Sequence, residues 1–257
     1  MRRGFSLVEL LVVIGIIAVL VGILIPTLGR VQKQANLLKC AAQMQQIGAA
    51  TLAYAAENRG WLPTRFNPAV NYEYTHTYRV WDTGPNPNVP YGLGLLFAGK
   101  HLGNGKILYC PEVREGGWTS DGYTWPFMSE QSQNYYTSYM YQPHHTDPTV
   151  TPVDVQFKKL DQMRKPLPAN AGPTSFQGLP PVLAIENIQN IRWTAHVDPS
   201  NRGAPAFNTL FPDGHVASVR SKAVRDQLNG FYPGGLASGW TRFDRVLKAL
   251  LTDARSQ

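Results

Sequence analysis

One apolar run near the N-terminus constrains this chain more than any other feature. From Phe5 to Ile25 there are 21 residues, and Glu9 is the only charged one among them. As a helix rising about 1.5 Å per residue, the run is about 31 Å long, the depth of one bilayer core. Arg2 and Arg3 stand before it. A basic flank on that side predicts a cytoplasmic N-terminus and an external remainder. The carboxylate is the odd member, because a charge at mid-membrane costs about 2.5 kcal/mol or more, and less near an end. Either this is an ordinary signal anchor that tolerates a charge near its edge, or Glu9 has a dedicated partner; the second is the expectation here. A secretory signal peptide would place an A-x-A-like site after the apolar run. Ile23-Leu24-Ile25-Pro26-Thr27 offers none, so the segment is expected to stay on the mature protein.

The residues at the head of this run carry a resemblance. Gly4-Phe5-Ser6-Leu7-Val8-Glu9-Leu10 resembles the class III signal of type IV pilins and type II secretion pseudopilins. In that family a membrane prepilin peptidase, which is also an N-methyltransferase, cuts after the glycine and methylates the new N-terminal phenylalanine. Gly4, Phe5 and Glu9 match the family pattern position by position, and Pro26 matches its helix-kinking proline. The resemblance implies processing between Gly4 and Phe5, assembly through Glu9 with other pilin or pseudopilin subunits, and contact with inner-membrane assembly machinery.

Composition bounds the remainder. The 257 residues suffice for an anchor plus one good-sized domain. Only 16 % are charged, and 23 glycines with 20 prolines favour a loop-rich domain of short elements over a helical bundle or a disordered tail. The net charge of +7 is spread thinly, with no run of Lys or Arg longer than two, so nucleic acid is not an expected partner. Cys40 and Cys110 would sit in an oxidising space if the head is external. There they can pair as a disulfide or remain as two buried or free thiols. The resemblance favours pairing, since related proteins often carry a Cys in the long helix and a Cys-Pro further on, as in Cys110-Pro111.

Beyond Pro26 the helical pattern continues. Leu37, Cys40, Met44, Ile47 and Tyr54 fall on one stripe, with glutamines and Lys33 on other faces. Asn58-Arg59-Gly60 supplies a stop with Gly60 as a left-handed cap, and Pro63 prevents resumption. One helix from about Phe5 to Asn58, kinked near Pro26, is expected, with Gly48 marking close packing. Leu38 to Pro63 also resembles a recurrent stretch of large pseudopilin-like proteins. Residues 64–90 show no sustained period and read as a surface excursion with Val80-Trp81 docking on the core. Gly92 to Leu102 fits a short helix, Lys106 to Tyr109 a short strand and Tyr135 to Tyr141 another. The aromatics at 118–127 read as a lid over a small core, with a sugar platform as the alternative. His144 and His145 read as part of a turn. Val182 to Ile188 is the best buried strand of the middle region. Its one acid, Glu186, must either reach solvent at the strand end or meet a cation or basic residue.

Downstream, Phe207–Phe211 and His215–Val219 flank Pro212-Asp213-Gly214, and Asp-Gly between two alternating apolar runs predicts a hairpin. The stretch 196–219 resembles the H-X9-DG segment of many prepilin-like proteins, matching at His196, Asn208, Leu210, Phe211, Asp213, Gly214, His215 and Val216. It departs in spacing: 16 residues separate His196 from Asp213. Two imidazoles and a carboxylate suffice chemically for an open metal site at His196, Asp213 and His215, and a calcium site at Asp213 is a further option. A structural turn is the plainer reading of both. Among hydrolase signatures, G-x-S-x-G and H-E-x-x-H do not occur. Lys222 to Asn229 and a stretch from Thr241 read as two closing helices.

The expected fold is α+β: a long N-terminal pilin-type helix, transmembrane in its first half, packed on a small antiparallel sheet with loops and C-terminal helices. The expected divisions are a leader at 1–4, a transmembrane and assembly helix at 5–25, its continuation at 26–58 and an extracytoplasmic head at 59–257. The resemblance implies a structural subunit without enzymatic activity or cofactor, held in the inner membrane. The competing reading is a membrane-anchored binding protein or metal-dependent enzyme that borrows a prepilin leader.

Overall fold

Helix α1 (Leu7–Glu57) is continuous over 51 residues in the computed structural model. The structure describes residues 7–63, 66–67, 72–73, 79–82, 89–90, 92–112, 135–141, 159–163, 183–186 and 206–221. Outside them lie Gly4, Phe5, the aromatics at 118–127, His144, His145, His196 and both expected C-terminal helices. The helix assignment runs through Pro26, although a proline brings no N–H to the ladder. Thr27 Oγ1 donates to the Leu24 carbonyl at 2.8 Å one turn back.

The two halves of α1 meet different surroundings. From Leu7 to Ile25 every described side chain is exposed. From Leu37 onward the expected stripe turns inward, with Cys40, Met44 and Ile47 fully buried and Tyr54 half-buried. The end of the helix differs from expectation in one detail. Arg59, not Gly60, takes the first left-handed position (φ 57°), and Gly60 follows at φ 84°. Gly60 N–H donates to the Ala55 carbonyl at 2.7 Å, the six-to-one bond of a Schellman ending.

Short paired segments follow: β1 (Phe66–Asn67) with β2 (Tyr72–Glu73), then β3 (Arg79–Asp82) with β4 (Val89–Pro90), all antiparallel. Part of the 64–90 excursion is thus a ladder. Val80 is buried in the core as expected. Helix α2 (Leu93–Ala98) packs on β3, and at Gly94 the two backbones are nearly in contact. A Cβ there would lie 1.9 Å from the Val80 carbonyl oxygen.

Two expectations for strands are corrected. Residues Gly105–Leu108 form a 3-10 helix, because Asn104 caps its start and accepts from Lys106 N–H at 2.9 Å. Tyr135 to Tyr141 is not one strand: β5 (Tyr135–Tyr136) joins β3, while β6 (Tyr139–Tyr141) joins the main sheet. Thr137 and Ser138 make the break. Thr137 Oγ1 and Ser138 N–H both donate to the Leu108 carbonyl, at 2.5 and 3.1 Å, drawing the chain out of line.

Helix α3 (Leu160–Met163) begins after Lys159, which bridges to Trp61 and places its ammonium over that ring. The main sheet is completed by β7 (Ala184–Glu186), β8 (Ala206–Leu210) and β9 (Val216–Arg220), in the antiparallel order β6-β7-β8-β9. The second half of α1 lies across it, chiefly on β8. The core between them joins Met44 and Ile47 to Leu62, Leu108, Tyr141, Leu183 and Leu210. A Cβ on Gly48 would meet Leu210 Cδ1 at 2.8 Å, so the close packing expected there is against a side chain.

Gly94→Ala should destabilise the head by about 3 kcal/mol, because the obstructing atom is backbone and cannot rotate away. Gly103, with nothing within 4 Å of its Cβ position, is the control. Urea unfolding of detergent-solubilised protein, followed by circular dichroism, should show the loss for Gly94→Ala and little change for Gly103→Ala.

Candidate functional site

Two features carry chemistry: the exposed apolar half of α1, and the joint where its second half meets the sheet. The first is set by composition. Among the described residues α1 is the one helix long and apolar enough to cross a membrane, and none of that stretch is buried in the chain itself. Leu10, Val13, Ile17, Leu20 and Leu24, among others, show half or more of their surface or close to it. An apolar surface of this extent requires an apolar environment. Glu9 sits in its first described turns, with an exposed side chain.

The joint follows from strand register. Side chains alternate along a strand, so residues directly across share a face. Tyr139 stands opposite Glu186, and Ala184 opposite Leu210, which continues to Glu186 opposite Asn208; Asn208 stands opposite Ser218. Tyr139, Glu186, Asn208 and Ser218 thus form one polar row across four strands on the face that meets α1. Tyr141, Ala184, Leu210 and Val216 form the apolar row beside it.

The polar row is hydrogen-bonded to the helix. Asn208 Nδ2 donates to the Leu37 carbonyl of α1 at 3.0 Å and to Glu186 Oε1 at 2.7 Å, and Ser218 Oγ donates to Asn208 Oδ1. Tyr139 Oη donates to Gln43 Oε1 at 2.8 Å. Burial pushes the Tyr139 hydroxyl well above its ordinary pKa, and the nearby Glu186 charge adds to that, so the hydroxyl remains a donor. Glu186 is fully buried. Of its two expected exits, solvent is closed; the Asn208 amide, which register brings opposite it, is one partner of the carboxylate.

Beside this row the structure forms the Cys40–Cys110 disulfide, with Cα atoms 5.5 Å apart and 70 residues of separation. On a chain-entropy account a loop of that length stabilises the fold by about 4 kcal/mol. The bond ties α1 to the segment that follows the 3-10 helix. Nearby, Asn36 Nδ2 donates to Glu112 Oε2 and adds a second link.

At the hairpin, the structure places Asp213 and His215 together. His215 N–H donates to Asp213 Oδ1 at 3.1 Å, and His215 Nδ1 lies 2.5 Å from the same oxygen. The imidazole stacks on Phe211 at 4.3 Å. The turn is longer than a two-residue Asp-Gly turn. Gly214 N–H donates to the Phe211 carbonyl, Phe211 N–H donates to the His215 carbonyl, and only Gly214 takes positive φ (91°). This is a three-residue loop, Pro212-Asp213-Gly214, closed by a glycine, with Pro212 suited to the second position of the four-residue turn that Phe211 begins. Burial pulls the Asp213 carboxyl upward, but the hydrogen bonds from His215 and its charge together outweigh that and hold it below the ordinary range. Both side chains are more than half exposed.

Sequence reasoning singled out Glu186 but missed its partner and the roles of Gln43, Tyr139 and Ser218. Asn208 was visible only as a member of the resembling segment. The signal for the row was its register: each member precedes an apolar position by two on the same strand face or follows one.

The comparisons with known proteins address the other end of the chain. Residues 1–25 match the family model of the prokaryotic N-terminal methylation motif. The chain therefore carries a prepilin-type N-terminal signal, of the pilin and pseudopilin class, at the head of a membrane-capable helix. With α1 laid on an antiparallel sheet, the architecture is the α+β arrangement expected of a pilin-like protein. The match stops well short of the Asp213–Gly214 hairpin, whose likeness to H-X9-DG rests on its own residues. The chain is also similar to the zebrafish (Danio rerio) YTH domain-containing family protein 2, at 27 % identity over 86 residues. That stretch is 34 % of this chain and spans 13 % of the relative's length, too little to transfer an activity. No solved structure matches.

Asn208→Ala should lower stability by about 3 kcal/mol, since it strips a buried carboxylate and a helix carbonyl of one donor at once. Chemical unfolding of the oxidised protein checks this. For Asp213, carbon-detected NMR titration should find a pKa below that of an ordinary aspartate, and His215→Ala should return it toward about 3.9. The sign is that of a depressed acid: the pair's small contribution is present above the ordinary aspartate range and is lost as pH falls through the depressed value.

Proposed function

We propose that this chain is the structural subunit of a filament, a type IV pilus-like fibre or a type II secretion pseudopilus. It is made as a prepilin, cut between Gly4 and Phe5 by prepilin peptidase and methylated on Phe5. The observation that carries this reading is the methylation motif over residues 1–25. The unburied apolar half of α1 supports it, because that surface suits first lipid and then the same helix of neighbouring subunits. Arg2 and Arg3 favour a cytoplasmic N-terminus, with the anchor in the inner membrane and the head outside.

Assembly follows from the physics of that surface. Between helices already in lipid, apolar burial gains little, so close packing and polar pairing set the register. After cleavage the chain begins with an ammonium at Phe5, four residues before Glu9 in the sequence. A Glu9 carboxylate paired with the N-terminal ammonium of a neighbouring subunit offsets two desolvation costs and sets the axial step. The inner-membrane assembly machinery then lifts each subunit from the bilayer, and the folded head rides outside the helical core.

Two variants separate processing from assembly. Gly4→Leu should leave the chain at its unprocessed mass and abolish filaments. Glu9→Ala should be processed normally yet yield few or no sheared filaments in immunoblots of the extracellular fraction. Normal filament yield from processed Glu9→Ala protein would show that the carboxylate is not the assembly contact.

A further inference from the structure

The joint between helix and head holds a cluster that the filament reading does not use. Cys40 on α1, Cys110 after the 3-10 helix and Glu186 on β7 place two sulfurs and a carboxylate oxygen within 4.8 Å of one another. All three residues are buried, Cys40 and Glu186 completely. A buried carboxylate beside a disulfide is a poor choice for stability alone, since an apolar side chain of similar volume would avoid its desolvation cost. Its orientation is also set from outside: Asn208 Nδ2 holds Oε1 at 2.7 Å and is itself anchored by the Leu37 carbonyl and Ser218. Metal-binding carboxylates and imidazoles are held in this way, by a hydrogen-bonding partner behind the ligand.

We infer that, once the Cys40–Cys110 bond is reduced, Cys40, Cys110 and Glu186 bind one zinc-type divalent cation. The inference goes beyond the filament reading and does not depend on it. Reduction takes two electrons and two protons from a dithiol, which leaves as its own disulfide; the cation then displaces both thiol protons to solvent. Two thiolates and a carboxylate match the soft-to-borderline donor set of zinc. A tetrahedral zinc with Zn–S of about 2.3 Å needs its sulfurs about 3.8 Å apart. Cysteine Cα atoms 5.5 Å apart reach that separation by side-chain rotation. The carboxylate, already within 4.8 Å, needs to close by about an ångström. The fourth position is left for water. In the oxidised protein the sulfurs are bonded to each other and the site is closed, so the cation and the disulfide are alternative ties between the same two segments.

The test uses the full chain in detergent, without oxygen, and cobalt(II) as the probe. Protein reduced by a phosphine should bind one equivalent with a thiolate-to-cobalt charge-transfer band, and oxidised protein should show none. Cys110→Ser should abolish the band. Glu186→Gln, with both thiols kept, should weaken binding about tenfold or more, whereas Glu57→Gln, at the exposed C-terminal end of α1, should not. Zinc should raise the thermal midpoint of the reduced protein only. The inference is overturned if reduced protein with native circular dichroism shows no band, or if Glu186→Gln binds as the wild type does. It is equally overturned if reduction unfolds the chain and zinc fails to restore it.

Discussion

A single helix placed between two different surroundings is the constraint on which the rest of this structure depends. The first half of α1 exposes an apolar surface on every side, and the second half buries one stripe and exposes the others. The change occurs within one continuous element, between Ile25 and Leu37. A head attached only by apolar contacts could slide or rotate on such a rod, because apolar packing is non-directional. Whatever force acts along the helix reaches the head through the joint at Leu37 to Ile47. The polar contacts of that joint therefore serve to define one register.

Those contacts have a clear division of labour. The apolar row of Tyr141, Ala184, Leu210 and Val216, with Met44 and Ile47, supplies the bulk of the burial. The polar row of Tyr139, Glu186, Asn208 and Ser218 contributes less net energy per bond, about 1 kcal/mol for an ordinary hydrogen bond. Its penalty for misregister is larger, because a slip of one residue would leave a buried carboxylate and a helix carbonyl without the Asn208 amide. The Cys40–Cys110 bond secures the same junction covalently. Register is set by the polar atoms, and affinity by the apolar ones.

How far all this could be read in advance depended on whether the cause was local. The helix, its buried stripe and its ending were legible, since a 3.6-residue period and an Asn-x-Gly stop are short-range signals. The hairpin was legible for the same reason, although its turn is wider because Pro212 occupies the second position. Lys106–Tyr109 misled because its strand-like residues are overridden by the Asn104 cap. Tyr135–Tyr141 misled because its break is imposed from 29 residues away, by the Leu108 carbonyl. The candidate sites divide in the same way. The N-terminal signal over residues 1–25 is one contiguous stretch and was readable as a motif. The partner of Glu186 lies 22 residues on and is chosen by strand register, which no local pattern reports.

Folded head and apolar helix acquire a common purpose only if the mature chain begins where the motif places its start. The most direct measurement is the mass and fragmentation of the N-terminal peptide of protein recovered from membranes. The account predicts a chain beginning at Phe5, carrying one added methyl group on its α-amine and retaining the apolar helix. A chain that still begins at Met1 in its assembled form, or one that begins beyond Pro26, would contradict it.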